Sequence, residues 1–132
     1  MAGVTLDGAG TEKMKTIEEA TTQVQRLHGI VETYAIALKN AQPTSLFGVR
    51  VKRALFPLVG LLKPQFGMIA DQVASLNLIA TRGGSETAKI RVLREGVGGI
   101  RQALEIAVVR IKENHAVKDE PKKGSGGART PE

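Results

Sequence analysis

The chain of 132 residues has no cysteine and no tryptophan, and only one tyrosine and three phenylalanines. Without cysteine there can be no disulfide scaffold, no thiolate zinc site and no cysteine nucleophile. With so few rings the core must be aliphatic, built from Leu, Ile, Val and Ala, and base stacking on aromatic platforms has little to work with. No run approaches the ~18 apolar residues that cross a bilayer. The opening MAGVTLDGAG lacks the charged-then-apolar plan of a secretory signal. Histidine is scarce as well. His28 and His115 stand alone, and neither belongs to a Glu-x-x-His pair, so the di-metal carboxylate pattern of helical bundles is missing. Glu18 and Glu19 adjoin in sequence, but neighbours on a helix diverge by about 100° and do not converge on one substrate atom. These absences predict a non-enzymatic cytoplasmic protein with no cofactor and no metal site, of a length usual for one domain.

What the chain does have is helical period. Lengths of 3.6-residue repeat fill three blocks between two polar ends. Residues 1–10 carry three glycines and no periodicity, which predicts a mobile leader. Residues 118–132, KDEPKKGSGGARTPE, are polar and rich in Gly and Pro, which predicts a disordered tail. In the first block, Thr11 to Gln42, the residues Ile17, Ala20, Val24, Leu27, Val31, Tyr34, Leu38 and Ala41 alternate by three and four, a heptad seam on one helix face. Thr16 and Glu19 match a capping box, and Pro43 marks the end. In the third block, Ser85 to about His115, the seam is Ile90, Leu93, Val97, Ile100, Leu104, Ala107 and Ile111, with Ser85 as the cap.

The middle block, Thr44 to Arg82, is less regular. Its second half places Phe66, Ile69, Val73, Leu76 and Ala80 at heptad spacing. Its first half is apolar nearly all round between Ala54 and Leu62, and is interrupted by Pro57 and Pro64. The expected fold is all-α: an elongated antiparallel three-helix bundle over residues 11–117 with a proline-kinked middle helix. If the middle helix folds back at Pro64, the outcome is a compact four-helix bundle.

The net charge of +6 is concentrated in the middle of the chain, where no acid occurs between Glu32 and Asp71. Arg50, Lys52 and Arg53 precede the apolar stretch and Lys63 follows it. Arg94 and Arg101, one heptad apart, share a flank of the third seam. Gly96, Gly98 and Gly99 are costly inside a helix, ~1 kcal/mol each relative to alanine, and are candidates for close approach of another helix.

Three kinds of partner fit this pattern. Surplus apolar surface around Leu55 to Leu62, with Leu58 and Leu62 as candidate contacts, favours a scaffold that binds a protein partner or a second copy, as heptad seams do. The basic middle also fits the phosphate backbone of nucleic acid, read without sequence preference as in a subunit of a nucleoprotein complex. A proline-interrupted apolar patch flanked by cations fits attachment to an anionic lipid surface or a hydrophobic granule. The first is the leading expectation.

Overall fold

A computed structural model describes residues 5–82 and 84–117. Four helices account for nearly all of them: α1 Gly8–Lys39, α2 Phe47–Leu62, α3 Gly67–Thr81 and α4 Glu86–His115. Each packs on its chain neighbours, and α4 returns to α1 to close the ring. Short connections make consecutive helices antiparallel, so this is an up-down-up-down four-helix bundle. The three-helix expectation is thereby corrected: the middle block is two helices, and the fold-back at Pro64 is the arrangement found.

The two prolines explain the difference. Pro57 is tolerated within α2 on its exposed side, where water can satisfy the carbonyl freed one turn earlier. Pro64 sits in the turn after Leu62, the last core residue of α2. The Phe66 N–H donates back to the Leu62 carbonyl at 2.7 Å, and Phe66 then leaves helical angles at φ −135°, ψ 60°. The chain reverses there and starts α3.

The seams lie where the period puts them. All seven expected residues of α4, from Ile90 to Ile111, are buried. In α3, Ile69, Val73, Leu76 and Ala80 are buried, joined by Ala70. In α1 the seam holds from Ile17 to Tyr34 and then moves to Ala37, leaving Leu38 half-buried and Ala41 exposed. A straight helix drifts by about 20° per heptad relative to a strict seven-residue repeat, and the last turn shows that drift. In α2 the buried line is Phe47, Val51, Leu55, Leu58 and Leu62.

Helix ends have clear causes. α1 starts earlier than the capping-box reading places it, because the Asp7 carboxylate accepts from the Gly10 N–H at 2.7 Å. α1 thus begins at Gly8, inside the stretch of residues 1–10. The Asp7 N–H donates to the His115 carbonyl at 2.9 Å, and the Val117 N–H donates to Thr5 at 2.7 Å, which joins the two ends of the described chain. At its other end α1 closes in a Schellman turn. The Gln42 N–H reaches the Ala37 carbonyl at 2.8 Å, and Ala41 takes the left-handed φ of 55° usually left to glycine. Ser85 caps α4 through the Ala88 N–H. The expected polar tail, residues 118–132, lies outside the described residues.

Candidate functional site

The bundle buries a single large aliphatic core shared by all four helices. A smaller cluster of Tyr34, Ala37, Phe47 and Ile90 closes the end where α1 meets α2 and α4. There the Tyr34 and Phe47 rings stack at 5.0 Å, and the Arg50 guanidinium lies over Phe47 at 5.1 Å. Glu86 accepts from the Tyr34 hydroxyl at 2.8 Å and from the Thr44 hydroxyl at 2.7 Å. Those donors hold the Glu86 carboxyl below its usual range, Thr44 foremost. Burial, and then the bond to Glu86, pushes the Tyr34 phenol up to about 12. The group is a structural clasp, with every member engaged.

At the opposite end, His115 Nδ1 lies 3.2 Å from the Asp7 carboxylate and its Nε2 lies 3.2 Å from the Lys13 ammonium. The ring thus bridges Lys13 and Asp7 through its two nitrogens. The Gly10 N–H, and after it His115 and Lys13, hold the Asp7 carboxyl low. This too ties α1 to α4. Among the described residues there is no group of three or more His, Asp or Glu able to hold a metal ion.

The residues singled out by sequence separate into four groups. Leu58 and Leu62 are fully buried and cannot present a surface for a partner; that expectation is corrected, because the inner line of α2 needs both. Arg94 and Arg101 face the α1 side of α4 rather than joining the basic middle. The Arg94 guanidinium makes a two-pronged bond to Glu32 at 2.7 and 2.8 Å, which lowers the Glu32 carboxyl and raises Arg94. Arg101 lines a shallow groove with Thr21 and Glu105. Since α2 and α4 occupy opposite corners of the ring, neither arginine reaches the α2 cations. Of the three glycines, Gly96 alone meets another helix closely: a methyl group there would overlap the Leu76 side chain of α3. Gly98 faces open space, and Gly99 has only an ordinary contact with Gln72 at 3.8 Å.

The remaining four, Arg50, Lys52, Arg53 and Lys63, are all exposed on α2, and none forms an ion pair among the described residues. They do not stand alone. Leu46, Val49, Arg53, Phe56, Gly60 and Lys63 are spaced three, four, three, four and three apart, a second heptad line about half a turn from the buried one. Leu46 and Lys63, the two caps, keep right-handed helical angles, so the line runs the whole helix, about 26 Å. Leu46 is 70% exposed, Phe56 71% and Val49 47%. Lys52 and Arg50 border the line on its two sides. Sequence periodicity alone does not single out the apolar members of this line. Their signal was present as two interleaved heptad registers in one helix, which together look apolar all round.

No helix among the described residues is long and apolar enough to cross a membrane. No family model matches this chain, and neither does any curated protein or solved structure.

Proposed function

We propose that this chain is a non-catalytic binding module whose contact surface is the outer face of α2, and that it engages an acidic surface in the cytoplasm. One observation carries the reading: four exposed cations without acidic partners share a helix face with the exposed Leu46, Val49 and Phe56. Lysines and arginines on most surfaces are interspersed with acids. Here none intervenes from Glu32 to Asp71, so the local potential stays positive and draws anions to this corner of the bundle. The rigid bundle holds α2 in place, so no ordering cost falls on the binding step.

Position, rather than total charge, is the testable content. Two variants each remove four charges from the net +6. One exchanges Arg50, Lys52, Arg53 and Lys63 for Gln. The other exchanges Lys15, Arg26, Arg110 and Lys112, also exposed, for Gln. On a heparin column the first should elute at clearly lower salt than the second. Equal elution would show that net charge alone governs binding and would remove the assignment to α2.

A further inference from the structure

We infer that the acidic surface is an anionic lipid interface, on which α2 lies flat with Phe56 dipped below the headgroups. This rests on the α2 reading above and names its partner.

The argument starts from what each class of partner would do with the outer line. A second copy meets it badly. Pairing α2 against its symmetry mate would bring Arg50, Lys52, Arg53 and Lys63 against the same four, with no acid on the face to offset them. Duplex nucleic acid would use the cations, but would leave Leu46, Val49 and Phe56 unpartnered, because phosphates offer nothing apolar. A partner helix seeks a groove between two elements. The α2 face is the convex ridge of one helix, and the described grooves adjoining α4 lie elsewhere, beside the α2–α3 turn and along α1.

A lipid interface suits both the apolar members and the cations of the line, with Arg53 in its middle extending a long apolar stem to carry its charge up to the headgroups. It is anionic at the headgroups and apolar beneath them, and it accepts a convex ridge because it has no fixed shape. Leu46, Val49 and Phe56 supply apolar area at one depth. Lys52 and Arg50 border them at the height of the phosphates, and Lys63 ends the line. Gly60 leaves the ridge low next to Phe56, whose ring is the most exposed apolar side chain of the line. This is the arrangement of a helix that rests in the interface plane, with bound strength set jointly by buried apolar area and by attraction to anionic lipid.

The absence of tryptophan gives a direct test in the full chain. Phe56→Trp places a single indole at the predicted depth without disturbing the core, since Phe56 is exposed. With vesicles of phosphatidylcholine and phosphatidylglycerol at seven to three, its emission should shift to the blue and be quenched by brominated acyl chains. Pure phosphatidylcholine should produce neither. Exchanging the four cations for Gln in that background should weaken partition on the order of a thousandfold, at about one kcal/mol per charge. In a sedimentation assay, Phe56→Ser should weaken the unlabelled protein about tenfold with all charges intact.

An unshifted indole on anionic vesicles would overturn the inference. So would sedimentation that depends on the cations but not on Phe56, or tighter binding to a duplex oligonucleotide than to vesicles. If vesicle binding fails while the heparin contrast between the two charge variants persists, the lipid assignment is lost and the α2 face remains the binding surface. If that contrast fails too, both are lost.

Discussion

Two glycines of α4 separated by one residue should respond to the same substitution with different free energies. Replacing a helix-interior glycine by alanine gains about 1 kcal/mol, because alanine has less backbone freedom to lose on folding. At Gly98 a methyl group enters open space, so Gly98→Ala should show that gain. At Gly96 the same methyl would overlap Leu76, whose side chain is buried at 4% and cannot swing away into solvent. Forcing one extra carbon into a packed contact costs about 1–3 kcal/mol. Gly96→Ala should therefore range from neutral to about 2 kcal/mol destabilising once the 1 kcal/mol gain is subtracted. The difference between the two variants cancels the propensity and isolates the α3–α4 contact, at about 1–3 kcal/mol. Urea denaturation followed by far-UV circular dichroism resolves this. In thermal melts each kcal/mol corresponds to roughly 3–5 °C for a chain of this size. Leu76→Ala should relieve the overlap, so the cost of Gly96→Ala should shrink in the double variant. Equal stabilisation at both positions would refute the close approach of α3 and α4.

Ala41→Gly should stabilise the fold by about 0.5–1 kcal/mol, because glycine takes the left-handed angle without a Cβ clash, less the extra freedom it has when unfolded; a loss in urea titration would contradict the Schellman reading. Stability should also depend on pH at both extremes. The Tyr34 phenol, ordinarily near 10.0 and held up to about 12 in the fold, contributes stability that is complete below pH 10 and lost as pH rises to 12. A Tyr34→Phe variant should lack that alkaline limb relative to the parent. Asp7, Glu32 and Glu86 are held low, so their contribution is present above the usual carboxylate range and fades as pH falls through it and below. A parent protein whose urea midpoint stays flat through both ranges would show that these contacts do not form.

The long helices were legible because one period governs each. α4 keeps its apolar residues strictly to one face from Ile90 to Ile111, and the buried set agrees residue for residue. α2 defied the same method because it satisfies two patterns at once, Val51, Leu55, Leu58 and Leu62 inward and Leu46, Val49 and Phe56 outward. Periodicity detects contrast between faces, and a helix apolar on two faces has little. From the sequence alone Leu58 and Leu62 thus read as surface, and Phe56 does not stand out from its apolar neighbours. The choice between one kinked helix and two was equally out of reach, since a proline can sit in a helix or end it. Pro57 does the first and Pro64 the second, although both face solvent; they differ in that the chain leaves helical angles at Phe66, two residues after Pro64. The basic quartet was visible as composition. Its relation to an apolar ridge required the register of α2 against α1 and α3.

The bond from Asp7 to His115 and the pairing of Leu6 with Ala116 make the order of helices a closed cycle rather than a line. Each helix has the same two neighbours whichever connection is taken as the first, and the gap between α4 and α1 is already spanned by backbone hydrogen bonds. The point at which the chain is cut is then nearly arbitrary for the architecture. A short peptide joining Val117 to Thr5, with a new opening in the exposed stretch from Asn40 to Pro43, would retain every helix pairing and merely rename them. It would also transfer the free ends to the pole where Tyr34 and Glu86 meet, leaving the ridge of α2 uninterrupted between its two turns.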